Sequence, residues 1–249
     1  MSNKVVIIVP CFNEAKRLNR NYFETLSNIN NTLWIFVDDG STDNTVQILQ
    51  ELSKKPNIDF LRISQNVGKS RALAYGMRQA FSLYSEIDWL GFLDSDAAFS
   101  KFDVESIISK RNSIGSFDAI YSSRVKLAGR KIQRNSTRHF FARIIATLFG
   151  LIWRDIPYDT QSGFKLYRTE KFSDELFLKP FRTRWFFDIE FSMRFSKINN
   201  SKLMVWEEPV YSWTDIPGTK LNFGQGFVVF IEIIYIMTLI IRQRRNINK

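Results

Sequence analysis

Two short acidic loops, each closing an apolar run, constrain this chain more than any other feature. Trp34-Ile35-Phe36-Val37 leads into Asp38-Asp39-Gly40-Ser41, and Trp89-Leu90-Gly91-Phe92-Leu93 leads into Asp94-Ser95-Asp96. The apolar runs read as buried parallel strands bounded by turn formers. In an open α/β sheet, ligands bind in the crevice beyond the carboxyl ends of such strands. Carboxylates gathered there are unfavourable unless something cationic neutralises them. A hydrated Mg2+ or Mn2+ shared with a diphosphate does so, because such ions take one or two carboxylates plus substrate phosphate oxygens. The pattern points to a metal-dependent site for a nucleotide-diphosphate compound.

The first hundred residues alternate strand and helix patterns. Strands are predicted at Val5–Val9, Trp34–Val37, Asp59–Ile63 and Trp89–Leu93, with a further one at Asp118–Ser122. Helices are predicted from Glu14 to Ile29, Thr42 to Lys54, Gly68 to Tyr84 and Phe102 to Arg111. Ser41 or Thr42 is expected to cap the second helix, with Asp43 in its first turn. This order predicts an α/β fold, a doubly wound, mostly parallel sheet with right-handed crossovers and helices on both faces. A chain of 249 residues suits one large domain or one domain with an appendage. Residues 1–222 are expected to form the catalytic domain and 223–249 a C-terminal membrane-associating helix with a basic tail.

Charge placement narrows the partners. The net charge is +10, and no acidic residue lies between Asp118 and Asp155. That gap holds Arg124, Lys126, Arg130, Lys131, Arg134, Arg138, Arg143 and Arg154, and nothing acidic follows Glu232. Basic segments attract nucleic acid, anionic membrane or phosphorylated ligands. Nucleic acid is not expected, since no recognisable reading module accompanies the charge. The single cysteine, Cys11, excludes an intrachain disulfide and reads as a buried thiol in a reducing compartment. Val5 to Val9 is too short an apolar run for a signal peptide.

Two later segments are strongly apolar. Arg138 to Trp153 reads either as a helix lying at a membrane surface or as a core helix. Phe227 to Ile241, interrupted by Glu232, falls short of the roughly 20 apolar residues a span needs. Interfacial helix, re-entrant segment and oligomer contact are all open for it, the interfacial helix being favoured. The 23 phenylalanines suit a bulky core and equally a lipid-facing protein.

Four short motifs in order, each after a predicted strand, resemble a family-2 glycosyltransferase of the GT-A type. They are Val9-Pro10-Cys11-Phe12-Asn13-Glu14, Val37-Asp38-Asp39-Gly40-Ser41-Thr42-Asp43, Asn66-Val67-Gly68-Lys69 and Asp94-Ser95-Asp96. Any one alone is weak, since Asp-x-Asp is common by chance. Ser122-Ser123-Arg124, Asp159-Thr160-Gln161-Ser162-Gly163-Phe164-Lys165, Arg184-Trp185-Phe186-Phe187-Asp188-Ile189-Glu190 and Glu208-Pro209-Val210 through Gly218-Thr219-Lys220-Leu221 look like the polyprenyl-phosphate branch. Within it, the pattern is most similar to dolichyl-phosphate β-glucosyltransferases and their bacterial undecaprenyl-phosphate relatives. The N-terminal anchor of the eukaryotic members and the paired C-terminal spans of many bacterial ones are not expected here.

The resemblance implies that Pro10, Phe12 and Glu14 line the nucleotide pocket, with Asp38 beside them, and that Asp39 accepts from the base. A carboxylate can accept from the imide N–H of uracil, and an adjacent aromatic offers the ring a face. Asp38 equally reads as a cap for the helix near Thr42. Lys69 is expected to meet the nucleotide or its phosphates, a solvated helix start being the alternative. Asp94 is assigned to ribose and metal and Asp96 to the metal, which is Mg2+ or Mn2+ alongside a UDP-sugar donor.

On the acceptor side, a sugar hydroxyl needs a general base, for which Asp188 or Glu190 would serve. A lipid phosphate is already largely ionised, with a second pKa of about 6. It needs cations instead, and Arg124, Arg130, Lys131, Arg134 and Arg138 suit that, with Asp188 positioning. These cations facing only lipid headgroups is the alternative. Asp159 is a second candidate near the reacting centre, or else a turn-stabilising residue. His139 is expected at the interface; Trp185 and Trp213 either stack on sugar or acceptor or pack in the core; Lys220 either approaches phosphate or is solvated. The favoured reading is inverting hexose transfer to a polyprenyl phosphate by a peripheral or monotopic protein at the cytoplasmic membrane face. Its rivals are transfer to a hydroxyl of a growing surface glycan, and a non-catalytic nucleotide-binding membrane scaffold. A nucleotidyltransferase is disfavoured, as no basic Gly-rich loop for a triphosphate is found. A homo-oligomer stays open.

Overall fold

The structure is a computed structural model that describes residues 4–133, 157–214 and 228–239. Chain order is β1 (Val5–Cys11), α1 (Arg20–Leu26), β2 (Thr32–Asp39), α2 (Thr45–Leu52), β3 (Ile58–Ile63), α3 (Lys69–Leu83), β4 (Trp89–Leu93) and α4 (Lys101–Lys110). Then follow β5 (Ala119–Ser123), β6 (Lys131–Gln133), β7 (Phe164–Arg168), α5 (Glu175–Leu178), α6 (Phe187–Asn199), β8 (Val205–Pro209) and β9 (Ser212–Thr214). A last helix, α7, covers 228–239.

Seven strands form one sheet in the order β3-β2-β1-β4-β7-β5-β8. β3, β2, β1 and β4 run parallel. β7 enters antiparallel between β4 and β5, and β8 returns parallel to β5. The sheet is thus mostly parallel, as expected, but the antiparallel β7 was not. Its reversal places the N-terminal end of β7 against the C-terminal end of β4, with Leu93 paired to Phe164. β6 and β9 form a small parallel ribbon, tied to the loop after β4 by a bridge from Phe99 to Trp213.

Alternation along β1 divides the core between the two faces, because successive side chains point to opposite sides of a strand. Val5, Ile7 and Val9 pack with Leu26, Leu49, Leu52, Val104 and Ile107 of α1, α2 and α4. Val6 and Ile8 pack with Leu73, Met77 and Ala80 of α3 and with Phe187, Phe191 and Phe195 of α6. Cys11 is buried, as expected.

Three local expectations are corrected. The first helix starts at Arg20, capped by Asn19, rather than at Glu14. Asn13 adopts φ 54° and the Glu14 side chain folds onto Arg17, so that stretch makes a turn. Neither Ser41 nor Thr42 caps α2: Asn44 holds that position, and Ser41 Oγ accepts the Asn13 N–H at 2.9 Å. Asp43 lies ahead of the helix, accepting the Thr45 N–H at 3.0 Å.

The charge interrupting the last apolar segment has a structural cause. Glu232 on α7 is buried, and its two carboxylate oxygens accept from the backbone N–H groups of Arg184 (2.6 Å) and Trp185 (2.9 Å). Those groups lead into the N-terminus of α6, where the helix dipole favours an anion. Ile236 beside it packs on Phe186, Ile189 and Met193. Trp185 also packs in this cluster. Glu232→Ala removes the acceptor of two backbone N–H groups, a loss of about 2 kcal/mol; a lower urea midpoint at unchanged slope is the expected result. The segment from Arg138 to Trp153, with Arg134 and His139, and the loop carrying Lys220 lie outside the described residues.

Candidate functional site

The carboxyl ends of β1, β2 and β4 share one edge of the sheet, with Cys11 paired to Asp38 across β1 and β2. Asp38-Asp39, Asp94-Ser95-Asp96 and residues 159–163 all open onto this edge, which unites the acidic loops that the sequence separates by more than fifty positions. Phe12 stands exposed at the end of β1, and Pro10 is half-buried beside it. Glu14 is buried, held by Arg17 Nε at 2.9 Å and Nη2 at 2.5 Å.

Asp38 and Asp39 divide the work of shaping the edge. Asp38 is fully buried and accepts the Ser41 N–H at 3.2 Å, closing the turn, with Arg62 Nε 3.6 Å away. Gly40 takes φ +73°, and a Cβ there would stand 2.7 Å from the Asn66 nitrogen. Asp39 reaches across to that same loop: its oxygens accept from Val67 N–H (2.8 Å), Gly68 N–H (2.8 Å) and Asn66 Nδ2 (2.9 Å). Burial raises the Asp39 carboxyl above its ordinary pKa, against the pull of the two backbone N–H bonds. Asp39 thereby fixes the entry to α3, and with it the place of Lys69.

Lys69 Nζ lies 2.5 Å from Asp94 Oδ1, so a cation already stands at the acidic pair. Asp96 accepts the Ala98 N–H at 3.1 Å. Its carboxyl is pushed above the ordinary range by burial first and by the Asp94 charge second, while Lys69 and Arg17 oppose the shift. Arg17 was not singled out from the sequence; its pairing with Glu14 depends on the turn that replaces the expected helix. Among the described residues no group of three or more Asp, Glu, His or Cys side chains could hold a metal ion by itself. Two carboxylates are what Mg2+ takes when phosphate oxygens complete its shell, so Asp94 and Asp96 fit such an ion.

Gly163 is required by this pair. A Cβ there would lie 2.5 Å from Asp94 Oδ2, a separation real side chains do not adopt. Gly163→Ala is expected to push the Asp94 carboxylate aside, an overpacking strain of about 1–3 kcal/mol. A lower urea midpoint checks it, with circular dichroism to show that the fold survives.

The carboxylates nominated from the sequence for an acceptor side are all engaged. Asp159 accepts Arg124 Nε at 2.8 Å and Nη2 at 2.7 Å, a bidentate fork, together with the Arg124 N–H at 2.9 Å. Its own N–H donates to Glu207, which also accepts the Tyr158 N–H. The Arg124 guanidinium stacks on Trp213, 4.8 Å from the ring centre. Arg130 stacks on Tyr211 at 5.7 Å, and Lys131 follows it, exposed, at the start of β6. Three of the five basic candidates therefore cluster around the small ribbon, while Arg134 and Arg138 lie outside the described residues.

Asp188 opens α6, and its Oδ1 is 2.8 Å from Lys165 Nζ. Burial raises the Asp188 carboxyl, and the Lys165 charge works against that rise. Glu190 is only 1% exposed. It accepts from Arg182 N–H, Thr183 N–H, Thr183 Oγ1 and Arg194 Nη2, the last at 2.7 Å.

The sequence signature described as Glycosyl transferase family 2 matches residues 6–176. Dolichyl-phosphate beta-glucosyltransferases are among the similar proteins. That of Drosophila melanogaster is 33% identical over 242 residues, 89% of this chain and 70% of the relative. That of Dictyostelium discoideum is 30% identical over 236 residues, 87% and 68% respectively. Among solved structures, glucosyl-3-phosphoglycerate synthase from Mycobacterium tuberculosis in complex with UDP superimposes with a TM-score of 0.67 at 14% identity, covering 95% of this chain and 80% of that one. The same enzyme with Mn2+, UDP and glucosyl-3-phosphoglycerate gives 0.61 at 15% identity, covering 86% and 73%. At such identity these structures speak for the GT-A-like fold.

Proposed function

The chain belongs to glycosyl transferase family 2 and is a glycosyltransferase; from that premise we propose that it moves a hexose from a UDP-sugar to a polyprenyl phosphate at the cytoplasmic membrane face. The relatives named for dolichyl phosphate support the lipid acceptor, and the UDP-bound neighbours support the donor. The observation that carries the choice of acceptor is the engagement of Asp159, Asp188 and Glu190 with Arg124, Lys165 and Arg194. A hydroxyl nucleophile needs a carboxylate able to take its proton. A phosphate monoester arrives ionised and needs only cations to bring it beside a diphosphate.

In this reading Phe12 and Pro10 face the base, Asp39 and Lys69 the nucleotide, and Asp94 and Asp96 hold Mg2+ or Mn2+. When bound, that ion neutralises the charge that develops on the departing UDP. Arg124, oriented by Asp159, receives the acceptor phosphate, with Arg130 and Lys131 adding positive charge beside it. A phosphate oxygen then bonds to the anomeric carbon as its bond to the UDP oxygen breaks, and the electron pair leaves with UDP, inverting the centre. Glu190 holds the loop at 182–183 rather than touching substrate. Residues 1–222 carry the transfer and 223–249 the membrane contact. No helix among the described residues is long and apolar enough to cross a membrane. α7 shows Val228, Phe230, Ile231 and Ile234 to its surroundings, a face suited to the lipid interface.

A second reading, transfer to a glycan hydroxyl, draws on one observation: Asp188 keeps 7% exposure and a raised pKa, as a base would. One experiment separates the two. Purified protein is incubated with UDP- and GDP-sugars, Mg2+ or Mn2+, and undecaprenyl phosphate. Sugar in the organic phase, from a UDP donor only, is the expected result. UDP release that needs a soluble glycan would replace the lipid reading by the second one.

A further inference from the structure

We propose that Lys165 is a positioning residue of the acceptor half of the site, one buried ammonium that holds Asp188 and the loop 159–163 in a single geometry. The inference rests on the transfer reading above. Lys165 is the second residue of β7 and has 0% exposure, where a charge is unfavourable unless closely paired. Its Nζ donates to the carbonyl oxygens of Thr160 and Ser162, both at 2.8 Å, and stands 2.8 Å from Asp188 Oδ1. The rings of Tyr121 and Phe92 flank it at 4.8 and 5.3 Å.

Those partners are not scattered. Thr160 and Ser162 belong to the loop whose Asp159 orients Arg124 and whose Gly163 touches Asp94. Asp188 begins the helix that packs on α7. Lys165 therefore joins the loop that orients the residue proposed to receive the acceptor, the residue beside the donor, and the first turn of α6. A lysine present only to fill the core would be replaceable: exchanging a buried ion pair for well-packed apolar side chains is often neutral or stabilising. Positioning makes the opposite demand, that turnover fall even where the fold is kept.

Lys165→Met keeps length and volume while removing the charge, and Asp188→Asn removes the partner. Each variant and the double variant are assayed for UDP release and lipid-linked sugar, with UDP affinity measured in Mn2+. Each single change is expected to lower kcat about 100-fold with donor KM and UDP affinity within about threefold. The double variant is expected within about threefold of the weaker single, because residues acting as a unit are not additive. Losses that multiply, or a Lys165→Met protein retaining a third of wild-type kcat, would overturn the proposal. If Lys165→Met alone unfolds by circular dichroism, the double variant decides: folding with the activity of Asp188→Asn supports the pair, and failure to fold assigns Lys165 to the fold alone. Wild-type protein that splits UDP-sugar but glycosylates no lipid phosphate would defeat the acceptor reading, while the coupling is still read from UDP release.

Discussion

Asp96→Ala is expected to remove metal-dependent donor turnover, lowering kcat/KM by about 10^2 to 10^3, equivalent to the several kcal/mol that a bound ion supplies to the departing charge. The size follows from position. Asp96 is one of only two carboxylates at the end of β4, and its proton is held more tightly than usual because burial and Asp94 both disfavour a second negative charge. A divalent ion is the natural relief for such a pair. Removing Asp96 leaves Asp94 facing Lys69 alone, at 2.5 Å. Steady-state turnover across a Mn2+ titration checks the prediction: the wild type should respond steeply and the variant weakly. Equal metal responses would remove Asp96 from the metal.

Arg124→Gln is expected to cut lipid glycosylation about 100-fold in detergent micelles, where no bilayer surface charge contributes. Its guanidinium is fixed twice, by the fork to Asp159 and by the ring of Trp213. Loss of one charge-assisted hydrogen bond to an anion is worth about 1.5–3 kcal/mol, or roughly ten- to 150-fold. The Asp159 carboxylate also loses its buried partner. Arg124→Lys should not restore activity, since a lysine cannot reproduce a bidentate fork. A defect seen on vesicles but absent in detergent would instead place Arg124 among the headgroup contacts.

Much of the fold was legible because apolar runs and turn residues repeat on the periods of strand and helix. The run Trp89–Leu93 is a strand with those same ends. β7 was missed for a physical reason. Phe164 and Leu166 join one core cluster and Tyr167 the other, so both faces of the strand are buried, and a lysine at its second position breaks the apolar pattern. That lysine was nevertheless a usable signal, since a charge within an otherwise buried strand calls for partners.

The site residues were legible by type but not by partner. Asp38, Asp39, Asp94 and Asp96 stand on one sheet edge, while the contacts that bind Asp39 to Gly68, Asp159 to Arg124 and Glu232 to Trp185 join residues far apart in sequence. No local pattern encodes such pairs. Glu190 shows the cost of reading composition alone: it falls two positions from Asp188, yet its carboxylate turns inward to Thr183 and Arg194. The helix expected from Glu14 was displaced by a turn in which that same residue grips Arg17.

The most direct measurement is anomalous diffraction from crystals grown with Mn2+ and UDP. A single manganese peak touching Asp96 and both phosphates of UDP, with uracil against Phe12, is the expected image. Manganese or nucleotide bound away from the edge formed by β1, β2 and β4 would contradict the central claim that these acids exist to share an ion with a diphosphate.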